Sequence, residues 1–255
     1  HIESEDNNDS LKCLYLNKNR ELIDALKALP AEKVPAKLKK MLSQTDLYTD
    51  FEIIQTTQRL FKDPRYGEWL KQNTGIETLV IEALLYTTAY QQFKKAYELL
   101  SRKKDQHNAA QALAHVNNGL SMDRYFKPAN EIDPLVARKC LVAEARAGII
   151  FRKGQRSIIQ KTAKNPQQWM SLRMGLGKTS YGMPPIAEIL SEQGKSVVFT
   201  VPEKLLKSNR KDFDADTRQM FDMASLEFTM PLVKELPINY IAETALMIEK
   251  VFKKK

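Results

Sequence analysis

Seven consecutive residues, Arg173-Met174-Gly175-Leu176-Gly177-Lys178-Thr179, have the types and spacing that wrap a phosphate. Glycine reaches φ > 0 and lets the backbone approach a ligand closely. Successive backbone N–H groups in such a loop can converge on one anion. Lys178 would add a positive charge for the outer phosphates, and the hydroxyl of Thr179 is a ligand for Mg²⁺. Ser180 continues the loop into the next element.

A loop of this kind works between a strand and a helix. Gln168 to Leu172 is a short apolar-leaning run directly before the glycines, and Ser180 to Glu192 carries Met183, Ile186, Ile189 and Leu190 at helical spacing. Pro184-Pro185 implies an irregular start to that helix, and Gly194 ends it. Ser196 to Val201 is continuous and β-branched, the pattern of a buried parallel strand. Leu226 to Met230 alternates and is a candidate third strand. Residues 239–252 form a closing amphipathic helix with Ile241, Ala245, Ile248 and Phe252 inward. Strand, glycine loop, helix and strand make a βαβ unit with a phosphate loop in its proper context.

The first half of the chain has a different texture. Residues 1–10 are polar and acidic and read as a disordered leader. Apolar residues at helical spacing run from Leu11 to Leu29 and stop at Pro30. A short basic helix occupies 31–44, with Pro35 near its start. Thr45 or Asp46 is a candidate cap for a helix through Phe61, ended by Asp63-Pro64. Tyr66 to Gln72 is a helical turn. From Ile76 to about Lys103, Leu79, Ala83, Tyr86, Tyr90, Phe93, Tyr97 and Leu100 form a stripe along one helix face, a packing stripe rather than a stacking platform for bases; Val80, Leu84 and Leu85 widen it, so the helix is expected to pack on more than one side. A helix from Gln106 to about Asn117 follows, then a loop, then a helix that Asp133-Pro134 starts and that runs to about Ala147. No strand pattern precedes residue 147. The expected class is therefore mainly α: a helical module over 11–147, then a small, incomplete P-loop α/β unit with a short parallel sheet over 148–255.

The bulk numbers bound the function classes. The chain has 255 residues, 43% hydrophobic and 28% charged, with a formal net charge of +9, so a globular protein able to bury a core is expected. The positive excess is compatible with anionic partners, although much of it is dispersed lysine suited to a solvated surface. Two cysteines, Cys13 and Cys140, lie far apart in helical patterns and read as buried thiols of the cytoplasm or another reducing compartment. A native N-terminal signal is not excluded, because the chain lacks an initiator Met. The histidines, His1, His107 and His115, have no metal-ligand partners nearby. No apolar run reaches membrane-spanning length.

The string Met174-Gly175-Leu176-Gly177-Lys178-Thr179 resembles the ATP loop of superfamily-two helicases and SWI/SNF-like ATPases. The eight-residue P-loop form requires glycine at position 172, where this chain has Leu172; the Gly-x-Gly-Lys-Thr spacing is the one those motors use. Phe151-Arg152-Lys153-Gly154-Gln155 is similar to the upstream stretch with which the family holds adenine, and Gln155 lies 23 residues before Lys178. Val197 to Leu206 is similar to the family's second conserved stretch. The resemblance covers about 148–213, the first part of the N-terminal motor lobe. It implies ATP and Mg²⁺ as cofactors, held weakly here by Gln155, Met174, Gly175, Leu176, Gly177, Lys178, Thr179 and Ser180, with Thr179 on the metal.

The acidic pair that holds Mg²⁺ and activates water is not legible. Asp212, Asp214 and Asp216 lack a preceding apolar strand, and Glu243 sits in a helical pattern. The expectation is a fragment of a larger helicase-like ATPase that binds nucleotide without turnover. In the full-length protein nucleic acid is a partner, and the helical module offers a surface for a protein. The competing reading is a helical protein-interaction module of a large multi-domain protein, such as a bacterial one, with a vestigial P-loop.

Overall fold

A computed structural model describes residues 2–44, 47–101, 133–166 and 182–195, with Val197, Lys211, Ala242, Glu243, Ala245, Leu246 and Glu249. The chain divides into two compact units, His1–Ser171 and Leu172–Lys255.

The first unit is a helical assembly. Its helices are α1 (Ile2–Ala28), α2 (Ala36–Ser43), α3 (Asp50–Lys62), α4 (Gly67–Gln72), α5 (Thr74–Ser101), α6 (Pro134–Ala147) and α7 (Lys153–Lys164), with 3₁₀ turns at Ala31–Lys33 and Pro64–Tyr66. α1 takes in residues 2–10, the stretch expected to be a disordered leader. The sequence of its first turn includes Glu3 and Glu5, residue types that the helix dipole favours at an N-terminus. Pro30 and Pro35 frame the first turn and the start of α2, as their lack of an N–H dictates.

The α3 cap is Thr49 and not Thr45 or Asp46. The Thr49 hydroxyl accepts from the Glu52 N–H at 3.3 Å, and the Glu52 carboxylate accepts from the Thr49 N–H at 2.8 Å. This is a reciprocal capping box. The hydrogen bond from the Thr49 backbone, then that from its hydroxyl, holds the Glu52 carboxyl below its ordinary range.

α5 is the spine. It packs along α1 and also against α3, α4 and α6. Its buried face is not centred on the aromatic stripe. Ile76, Val80, Leu84, Thr88, Gln92 and Ala96 form a buried row at four-residue steps, flanked by Ile81, Leu85 and Ala89. Tyr86, Tyr90, Phe93 and Tyr97 are half-buried at its edge, and Tyr90 stacks on Tyr15 of α1 with ring centroids 5.3 Å apart. Lys18 of α1 bridges to Glu82 of α5 and to Glu21, each at 2.9 Å; the hydrogen bonds to Glu21 and Glu82 raise its pKa well above the ordinary lysine value.

α6 enters this core late in the sequence, packing on α3 and α5. Pro134 occupies its first turn, and the Asp133 carboxylate accepts from the N–H groups of Leu135 and Val136 at 2.9 and 3.2 Å. Gly148 closes it with φ of 60°, and its carbonyl accepts a hydrogen bond from the side-chain amide of Gln92. A left-handed residue with a Cβ costs about 1–2 kcal/mol. A Cβ here would also meet the Gln91 Oε1 at 2.7 Å and the Gln91 Cβ at 3.3 Å. Gly148→Ala is therefore expected to lower stability by about 2 kcal/mol, read as a lower urea midpoint. Gly154→Ala is the control: nothing lies within 4 Å of its Cβ, and alanine in a helix gains up to about 1 kcal/mol over glycine.

In the second unit α8 (Met183–Glu192) is the described helix. Pro184 and Pro185 both fall in its first turn, where proline is accommodated. Its end is a Schellman motif: Gly194 has φ of 76°, the Lys195 N–H donates to the Leu190 carbonyl, and the Gly194 N–H to that of Ser191, both at 3.0 Å.

The expected short parallel sheet is corrected. The described residues contain helices, turns and extended connections, and no strand. Val197, the described position within the expected strand 196–201, is in none. The expected strands at 168–172 and 226–230, and the helix at 106–117, lie outside the described residues. At the C-terminal end, Ala242, Glu243, Ala245, Leu246 and Glu249 are helical and exposed, so Ala245 does not face inward as expected. Cys140 is buried in α6, whereas Cys13 on α1 is exposed rather than buried; neither is in a disulfide.

Candidate functional site

Met174, Gly175, Leu176, Gly177, Lys178, Thr179 and Ser180 lie outside the described residues. Gln155, the remaining residue expected to touch nucleotide, is in the first turn of α7. Its side-chain oxygen accepts the Arg152 N–H at 2.7 Å, satisfying a donor that the helix start would otherwise leave open. This is the glutamine half of a capping box, and arginine, having no acceptor, cannot supply the other half. The carboxamide is thus engaged in positioning α7.

The neighbouring Phe151 is 2% exposed and belongs to the core. Its N–H donates to Oε1 of Glu144 at 2.5 Å. Glu144, on α6, is fully buried, so this charge-assisted bond offsets part of the cost of removing a carboxylate from water. α7 is further tied to α6 by Gln160, whose side-chain oxygen accepts the Asp133 N–H at 3.2 Å. The stretch expected to hold adenine therefore locks two helices together.

The helix that follows the phosphate loop has its own constraint. Pro184 and Pro185 have no N–H, so the first turn of α8 offers an anion few donors. Amides capable of holding a phosphate must come from the loop itself. Thr179, the residue assigned to magnesium, is outside the described residues, and no cluster of three His, Cys, Asp or Glu suited to a metal occurs among the described ones.

A group of charged residues escaped the sequence reading. α6 is buried from Val136 to Ala145, including Arg138, Lys139 and Glu144. Arg138 Nη2 lies 2.5 Å from Glu77 of α5, and the guanidinium sits 5.4 Å from the ring centroid of Phe61 on α3. Asp63 accepts from Arg65 at 2.6 Å; that hydrogen bond, with Lys139 adding a smaller attraction, holds the Asp63 carboxyl below its ordinary range. Its contribution to stability is present above the ordinary aspartate pKa and is lost as pH falls through the lowered one. The available signal was a pair of cations between apolar residues, Val136-Ala137-Arg138-Lys139-Cys140-Leu141, which helical periodicity alone assigns to an exposed face.

No protein-family model, curated protein or solved structure matches this chain. Among the described residues no helix is long and apolar enough to cross a membrane.

Proposed function

We propose that this chain grips the phosphates of ATP with the loop Arg173–Thr179 and does not hydrolyse the nucleotide. The supporting observation is the string Gly175-Leu176-Gly177-Lys178-Thr179 placed four residues before the start of α8 at Met183. The N–H groups of the loop surround the phosphates, Lys178 neutralises the outer ones, and the hydroxyl of Thr179 holds Mg²⁺. The grip is assigned to the loop itself, since Pro184 and Pro185 leave the first turn of α8 with few donors. Gln155 is left out of the adenine contact, because its oxygen is already used at the start of α7.

Magnesium would screen the phosphate charge. Turnover needs in addition a carboxylate that orients the attacking water, since phosphoryl transfer depends on positioning and electrostatics; no residue of the sequence is assigned that role. Titration calorimetry with Mg-ATP is the test. Binding in the millimolar to high-micromolar range is expected, weakened at least tenfold in Lys178→Ala, with no steady phosphate release. Equal affinity in the two proteins would remove the loop from the reading. Phosphate release abolished by Lys178→Ala would overturn the absence of turnover.

A second reading, a helical module that docks a protein, is favoured by Leu14 and Leu16 on α1, which are 45% and 51% exposed. A thermal shift with neither Mg-ATP nor an oligonucleotide would favour it.

A further inference from the structure

A groove of about 440 Å³ opens between α2 and α3 in the first unit. That volume falls within the range of small-ligand pockets, about 300–1,000 Å³. Met41 and Thr56, both buried, form its floor. Three cations line it. Lys37 and Lys40 stand three residues apart on α2, hence on one face. Arg59 rises from α3 opposite them.

Among the lining residues three cations stand against one carboxylate. Glu52 is the carboxylate among the lining residues, and its Oε2 is committed to the Thr49 N–H and hydroxyl at 2.8 and 2.9 Å. Neither Lys37 nor Lys40 pairs with a carboxylate among the described residues. Two exposed ammonium groups and a half-buried guanidinium at one groove suit a phosphate, which arginine binds through a planar fork and lysine as a point charge. The other lining groups add a second chemistry. Tyr48 supplies an aromatic face, on which a base can stack. Gln55 supplies a carboxamide, which both donates and accepts at a base edge.

From these we infer a nucleotide site in the helical unit: the α2–α3 groove binds a nucleoside monophosphate unit, with its phosphate on Lys37, Lys40 and Arg59 and its base against Tyr48 and Gln55. The unit comes either from a free mononucleotide or from single-stranded nucleic acid, which present the same groups. The site is separate in sequence from the loop Arg173–Thr179 and does not depend on it.

The experiment uses the full chain carrying Lys178→Ala, so that the loop makes no contribution. AMP, hexa-adenylate and inorganic phosphate are titrated while ¹H–¹⁵N spectra are recorded. AMP is expected to move amides within residues 37–41 and 48–59, and Lys37→Glu with Lys40→Glu to weaken it at least tenfold. Both lysines are exposed, so the helical circular dichroism should be unchanged. Tyr48→Ala should weaken AMP and leave inorganic phosphate unaffected. Hexa-adenylate binding at least tenfold tighter than AMP, with a steep salt dependence, identifies the strand as the source; equal affinity identifies the free nucleotide. Shifts outside the groove, or affinities for both ligands unmoved by the double charge reversal, overturn the proposal.

Discussion

Phe151→Ala is expected to destabilise the first unit by about 3–5 kcal/mol, the usual cost of truncating a buried phenylalanine. The ring is 2% exposed, so almost all its surface would be replaced by a cavity or by collapse around one. The position also fixes the geometry between α6 and α7 through the Glu144 carboxylate, which accepts its N–H. A looser backbone at 151 would leave that buried carboxylate less well satisfied, adding to the cavity cost. Phe151→Leu keeps most of the volume and should cost only about 1–2 kcal/mol. Urea unfolding of the three proteins separates the cases. An alanine variant within 1 kcal/mol of the parent would mean that Phe151 is not a core residue.

The second large effect concerns Arg138. Its ion pair with Glu77 is 9% exposed on the arginine side and 22% on the glutamate side. Removing one partner of a well-buried pair costs about 3–5 kcal/mol, because the other charge is left without compensation. Glu77 retains some water, which places Arg138→Ala near 3 kcal/mol, including about 1 kcal/mol for the lost contact with Phe61. Arg138→Met together with Glu77→Leu should recover much of this loss, since apolar residues of similar volume can replace a buried pair at little cost. The diagnostic quantity is the coupling energy from a double-mutant cycle of the alanine variants, expected above 1 kcal/mol. A coupling near zero would show that the two side chains act independently and that the 2.5 Å contact contributes nothing net.

These two residues show where the sequence was legible and where it was not. Helix ends were readable wherever backbone chemistry set them: Pro30, Asp63-Pro64, Asp133-Pro134 and Gly194 all mark observed boundaries. The start of α3 was misplaced because a lone Thr or Asp is a weak signal. Thr49-Asp50-Phe51-Glu52, with glutamate three residues after threonine, was the stronger one. α5 was recognised as a long helix packed on more than one side, with Val80, Leu84 and Leu85 buried as expected, but the aromatic stripe was placed at the centre of its inward face. Large amphipathic rings can occupy the border of a core, while the centre of this face is a row of small and aliphatic residues with Thr88 and Gln92 among them.

Charges in α6 defeated the pattern altogether, because burial of Arg138 and Glu144 depends on partners on other segments, Glu77 and the backbone of Phe151. The sheet expectation rested on runs of five or six residues. At that length an apolar run cannot be assigned to strand or helix by period alone. As for the site, Gln155 illustrates the ambiguity of a short motif: the same carboxamide that can read adenine can close a helix start, and local geometry gives it the second task.

The order in which the pieces of this core are synthesised has a consequence of its own. α3 and α5 are finished by Ser101, but α6, which packs on both of them, ends at Ala147. At about 5–20 residues per second, a ribosome needs roughly 2–9 s to add the intervening stretch. Throughout that interval Phe61 of α3 and Glu77 of α5, both of which Arg138 of α6 contacts, exist without it. A nascent chain arrested before α6 emerges should therefore be protease-sensitive and a ready client for holdase chaperones, and it should become resistant once Phe151 has cleared the exit tunnel.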